Sequence, residues 1–282
     1  MKWLDHEAID YISYGAAILA NGGGGDPYIG KIMAQRAIVE YGPIRLLTLD
    51  ELQPEELLLA TGMIGSPAVM MEKLPNGQES LTACRIIAQH MGRSLSAIYP
   101  IETGGINSLL PLASACILGL PVMDVDAIGR EVQQARAARR NVIDTLTALL
   151  HGVVLFRGKA NRVNQRSEGG FNHCTACFVG VDNDSGGRFD VLFQNEYLLA
   201  RRDDRPLCMT PDLIILLDEE TGLPILGERL CYGMRVVALG VPAHEKWRTS
   251  RGIEVCGPRY FHYQNDYTPV ETLAARCKEE SA

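Results

Sequence analysis

The run Asn21-Gly22-Gly23-Gly24-Gly25-Asp26-Pro27-Tyr28-Ile29-Gly30 limits the fold more than any other stretch of this 282-residue chain. Glycine loses more backbone freedom on ordering than any other residue, so four in a fixed loop answer a need. The run is pinned between two helical patterns. Ile9, Ile12, Ala16 and Leu19 recur at helical spacing before it. After it, Asp26 reads as an N-cap and Pro27 as the first residue of a helix running to about Tyr41-Gly42. Such a loop calls for positive φ or for close approach of backbone to a ligand; a tight structural turn is the plainer alternative.

The segments that follow alternate. Ile44–Leu49 and Leu57–Thr61 read as strands, Ser80–Met91 as a helix closed by Gly92, and Leu95–Ile101 as a strand. Ser108–Leu118 reads as a helix stopped by Gly119, and Val122–Val125 as another strand. Strands alternating with helices predict an α/β domain with a mainly parallel sheet. Glu131–His151 reads as one longer helix, with Gly152 as its stop. Beyond it the texture becomes short strand-like runs: Val153–Phe156, Ala176–Val181, Phe189–Phe193, Leu213–Leu217 and Val236–Val241. Turn chemistry such as Asp182-Asn183-Asp184-Ser185-Gly186-Gly187 separates them. The division predicted is an α/β domain over 1–151 and a β-rich domain over 152–282, whose tail from Thr272 is a short fraying helix.

A net charge of −7 argues against a general nucleic-acid binder. No apolar run reaches the roughly 18–20 residues of a spanning helix, and the charged start Met1-Lys2-Trp3-Leu4-Asp5-His6-Glu7 lacks a secretory pattern. The eight cysteines then read as reduced thiols in a cytoplasm. Cys84 and Cys116 lie in apolar helix patterns and read as packing thiols. Cys174-x-x-Cys177, beside His173, has no second pair to complete a zinc knuckle and does not open a helix. His151 reads as structural at a helix end, and His244 and His262 lack an obvious partner.

Gly25-Asp26-Pro27-Tyr28-Ile29-Gly30-Lys31 matches the first part of a phosphate loop but fails as one. Ile32 stands where a magnesium-binding hydroxyl is needed, the loop follows a helix, and Pro27 deletes an amide. No nucleotide is expected. The acidic residues are better placed. Glu102 follows one strand, Asp124 and Asp126 end the next, and the Gly62-Met63-Ile64-Gly65-Ser66-Pro67 loop follows a third. Ligand sites in parallel sheets lie beyond such carboxyl ends. The i,i+2 spacing of Asp124 and Asp126 on a strand puts both on one face. Glu102, Asp124 and Asp126 could hold a hard divalent cation or supply a general acid/base pair; capping and a salt bridge from Asp126 to Arg130 are the plainer alternative.

In order, these motifs resemble the S-methyl-thiohydantoin desulfurase-domain family, associated with hydantoinase/oxoprolinase-type proteins. The matching stretches begin with Gly22 to Gly30, Gly65-Ser66-Pro67 with Glu72-Lys73, and Glu102-Thr103-Gly104-Gly105-Ile106-Asn107. They continue with Pro121 to Arg130, Phe156-Arg157-Gly158-Lys159 and Phe193-Gln194-Asn195-Glu196. Pro211-Asp212-Leu213-Ile214, Gly257-Pro258 and Pro269-Val270-Glu271 complete them. The resemblance implies an α/β domain carrying the site, a β-rich second domain, and action on a small five-membered cyclic imide or thioimide. One departure is that Arg130 runs almost directly into the long helix, so the chain looks internally shortened there.

Together these readings lead to hydrolytic removal of a thiol at C2 of a hydantoin-like or S-methyl-thiohydantoin-like ring. Asp26, Glu102, Asp124 and Asp126 form the pool for general base or metal ligation. The Gly22, Gly23, Gly24 and Gly25 amides are the oxygen donors, with Ser66, Asn107 and Arg130 as further substrate contacts. The expected partner is a small molecule, with neither nucleic acid nor membrane, and either a homo-oligomer or a hydantoinase-type complex. The alternative is a non-catalytic or regulatory subunit of such a complex.

Overall fold

The computed structural model describes residues 2–65, 73, 75–127, 146–147, 150–168 and 171–281. The predicted Glu131–His151 helix, but for residues at its end, and the shortening after Arg130 lie outside that set, as do Ser66 and Arg130. The chain divides into two compact units: residues 1–20 with 24–139, and residues 21–23 with 140–282.

The first unit is built on a five-stranded sheet in the order β1-β2-β5-β4-β3. The strands are β1 (Lys2–Leu4), β2 (Ile44–Leu47), β3 (Leu58–Thr61), β4 (Ala97–Pro100) and β5 (Val122–Met123). Four of them run parallel, and β1 is antiparallel to β2 at the edge. Helix α1 (His6–Leu19) is capped by the Asp5 carboxylate and buries Ile9, Ile12 and Ala16. Helix α2 (Pro27–Tyr41) starts as predicted, with the Asp26 side chain accepting from the Tyr28 N–H at 2.9 Å and Pro27 in the first turn. Helices α3 (Glu79–Met91) and α4 (Leu110–Leu118) both end at a left-handed glycine, Gly92 and Gly119. Apolar all round, α4 is buried from Leu110 to Cys116. It packs against α2, α3 and the sheet.

The second unit is a seven-stranded antiparallel sheet in the order β10-β9-β8-β7-β6-β12-β11. Its strands are β6 (Val153–Glu168), β7 (Phe171–Gly180), β8 (Arg188–Gln194), β9 (Glu196–Arg202), β10 (Arg205–Met209), β11 (Leu213–Asp218) and β12 (Arg235–Val241). The sheet curls so that β11 also lies against β9 and β10. Inside sit Phe156, Phe178, Phe189, Phe193 and Tyr197, with the Phe156 and Phe189 rings stacked at 4.9 Å. Helix α5 (Ser250–Cys256) and helix α6 (Val270–Ser281) follow the strands.

A buried carboxylate ties that last segment down. Asp212 is fully buried and takes two hydrogen bonds from the Arg248 guanidinium, at 2.7 and 3.0 Å. It also accepts from Tyr267 Oη and from the N–H groups of Ala243 and Val270. Arg248 in turn clamps Glu271 at 2.6 and 2.9 Å. With every oxygen satisfied, the desolvated carboxylate is held by a charge and by donors from four places in the chain. The tail is thus anchored: Val270 is fully buried at the first turn of α6 and Leu273 joins Leu199 and Met209 in a small apolar cluster.

Candidate functional site

Parallel pairing brings the carboxyl ends of β2 to β5 to one edge of the first unit. Thr61 stands opposite Pro100, so Gly62-Met63 runs beside Ile101-Glu102. A Cβ on Gly62 would lie 2.4 Å from the Ile101 side chain, which shows how closely the two loops run. Asn107, on a 3₁₀ turn spanning Gly105–Ser108, bridges them. Its Oδ1 accepts from the Met63 N–H at 2.7 Å, and its Nδ2 donates to the Met63 carbonyl and to Glu102 Oε1, each at 2.9 Å. Both amide hydrogens of this buried side chain are thereby given to protein acceptors. Glu102 is half-buried, with one oxygen held and Oε2 without a protein partner among the described residues.

The loop after Glu102 is braced twice more. The Thr103 N–H donates to Asp126 Oδ2 at 2.6 Å, and the Ile106 N–H to the Gly24 carbonyl at 3.0 Å. Gly24 and Gly105 lie backbone on backbone. A Cβ on Gly105 would fall 2.1 Å from the Gly24 oxygen. Gly24 and Gly25 have left-handed φ of 70° and 72° and, among the described residues, their N–H groups meet no acceptor. Consecutive amides in such a turn form a concavity suited to an oxygen or an anion.

The glycine run is divided between the units. Asn21 to Gly23 belong to the second, where Asn21 accepts from the Ile214 N–H at 2.6 Å and donates to the Tyr197 carbonyl at 2.9 Å. The Gly22 carbonyl takes the Gly227 N–H at 2.7 Å. A Cβ on Gly22 would lie 2.3 Å from the Tyr197 ring, and one on Gly23 2.7 Å from Glu196. Packing within that unit explains both residues.

Of the predicted carboxylates, Asp26 is the cap of α2, and Asp126 holds the Thr103 amide. Asp124 is buried, its N–H bonded to the Leu47 carbonyl. Strand β5 ends at Met123, so the alternation that was to aim Asp124 and Asp126 at one face does not reach them. Among the described residues, no three or more His, Cys, Asp or Glu side chains are grouped to hold a metal ion. The three-carboxylate cation site is therefore not formed, and Glu102 and Asp126 are both engaged with protein donors.

Lys31 pairs with Asp10 at 3.0 Å. Cys174 and Cys177 are three apart on β7 and fall on opposite faces. Burial pushes the Cys174 thiol up to about 12, and it also raises Cys177, Cys84 and Cys116. Such thiols are protonated packing groups. His244 accepts from the Lys246 N–H as the cap of a 3₁₀ turn. Met63, bound through its backbone, and Thr103, bound through its amide, lie in stretches that the sequence singled out, without a part assigned to either. Neither carries a side-chain signal for those roles.

A family model for the N-terminal domain of S-Me-THD-like proteins matches residues 7–144, and one for the C-terminal domain matches residues 114–270. The chain belongs to the S-Me-THD-like family. Between them the two models span nearly all of it. No curated protein matches. The X-ray crystal structure of a protein from Chromobacterium violaceum is similar in fold, with a TM-score of 0.73 at 16% identity, covering 96% of this chain and 100% of that one. No helix among the described residues is long and apolar enough to cross a membrane.

Proposed function

We propose that this family member hydrolyses a hydantoin-like or S-methyl-thiohydantoin-like ring at C2, with Glu102 as the general base. The supporting observation is the Asn107 bridge, which holds Glu102 Oε1 and leaves Oε2 without a protein partner among the described residues. Glu102 takes one proton from water as the water oxygen bonds to C2 and the C2=N π pair moves onto the ring nitrogen. The Gly24 and Gly25 N–H groups receive the oxygen of the tetrahedral species or the ring carbonyl. The hydroxyl proton then passes to the ring nitrogen as the O–H pair forms the C2 carbonyl, the C2–S bond breaks, and the leaving thiolate takes the proton held by Glu102. Water plus S-methyl-thiohydantoin thus gives hydantoin plus methanethiol. Asp126 and Asn107 act by positioning, the first through Thr103 and the second through Glu102.

The test is direct. Purified protein incubated with S-methyl-thiohydantoin in ¹⁸O-labelled water should release methanethiol and place one label at C2. Thiohydantoin and hydantoin serve as comparison rings. Absence of methanethiol release from S-methyl-thiohydantoin would refute the proposal.

A further inference from the structure

The loop beside Glu102 carries two exposed apolar side chains. Ile64 is 95% exposed and Met63 41% exposed. Leaving an isoleucine almost wholly in water forgoes the burial that normally stabilises it. A single exposed apolar residue needs no explanation, but these two sit in a constrained place. Met63 is bound at both its N–H and its carbonyl by Asn107, the residue that also holds Glu102. The register Thr61 opposite Pro100 sets Met63 alongside Glu102, and the Ile101 N–H bonds back to the Thr61 carbonyl at 3.0 Å. One amide side chain therefore fixes both the base and the apolar lip.

We infer that Met63 and Ile64 form the specificity wall for an apolar substituent on the substrate ring. The substrate class is then narrower than a bare five-membered imide: it is a ring carrying a branched aliphatic or aromatic group, such as condensation of an apolar amino acid would yield. An acidic substituent in the same place would desolvate against the lip and meet the Glu102 charge, so it is disfavoured. This rests on the proposed hydrolysis at the same site, and the experiment separates the two.

S-methyl-thiohydantoins bearing hydrogen, isobutyl or carboxymethyl on the ring carbon are compared by kcat/KM. The wild type should prefer isobutyl over hydrogen by on the order of 10-fold or more, and hydrogen over carboxymethyl. Ile64→Ser should bring the isobutyl-to-hydrogen ratio close to one. Its exposure means that the fold does not depend on the isoleucine. Ring binding to Glu102→Gln, measured calorimetrically without turnover, should show the same order of preference. A wild-type ratio near one, or a ratio unchanged in Ile64→Ser, overturns the inference while leaving the hydrolysis intact. Failure of every ring to turn over or bind removes both together.

Discussion

At Gly105 a methyl group would meet the Gly24 carbonyl oxygen at 2.1 Å, and the backbone has a φ of +56°. Gly92 shares the left-handed backbone, with a φ of +61°, but has nothing within 4 Å of the same position. Gly92→Ala should therefore cost about 1 kcal/mol, the penalty of the backbone alone. Gly105→Ala should cost about 3 kcal/mol, because a loop must also move. Denaturant melts of the two variants give the comparison, and equal costs would contradict the close approach. A sequence can reveal such a need without naming what approaches. A ligand and another loop's carbonyl exclude the same Cβ, so Gly22 and Gly23 read like ligand glycines although Tyr197 and Glu196 fill their space. Asn107 was named from the sequence as a substrate contact, but its bond to the Met63 loop, 44 residues away in the chain, has no local signal.

Among the elements, the parallel strands and their helices were legible because hydrophobic period and end signals agreed, as at Asp26-Pro27 and Gly92. Strands β9 and β10 were missed. They are joined at Asp203 and Asp204, both with positive φ, where the common asparagine-glycine signal is absent. The part of β6 beyond Phe156 was missed as well, since Gly158 and Ala160 are its buried positions and small residues give no apolar alternation. The last helix was expected to fray, whereas the Asp212 network holds it. Asp212→Asn removes the charge facing Arg248 and should destabilise the second unit by about 3 kcal/mol in chemical denaturation. Glu271 adds a pH dependence. Its hydrogen bond from Arg248 holds its carboxyl below the usual 4.5, so its contribution is complete above about pH 4.5 and fades as pH falls through the lower folded value. Glu271→Gln should flatten that acid limb of the melting profile, and an unchanged limb would contradict it.

For the whole molecule, the change from a mainly parallel α/β part to an antiparallel β-rich part was legible, but the route of the chain was not. Residues 21–23 complete the second unit from a position 117 residues before its main part begins at 140, since 140 − 23 = 117. Nothing in the local pattern of Asn21 signals partners at Tyr197 and Ile214. Replacing it by alanine leaves the Ile214 N–H and the Tyr197 carbonyl unpaired and puts alanine at a φ of 52°. Asn21→Ala should cost about 3 kcal/mol and speed hydrogen exchange at Ile214. Protection equal to wild type would show that the segment is dispensable. The proposed hydrolysis turns on Glu102 as its general base. The most direct measurement is single-turnover thiol release by Glu102→Gln, with ring affinity measured in parallel. Retained affinity with a rate lower by about 10²–10⁴-fold is the expected result. A wild-type rate in that variant would contradict the claim.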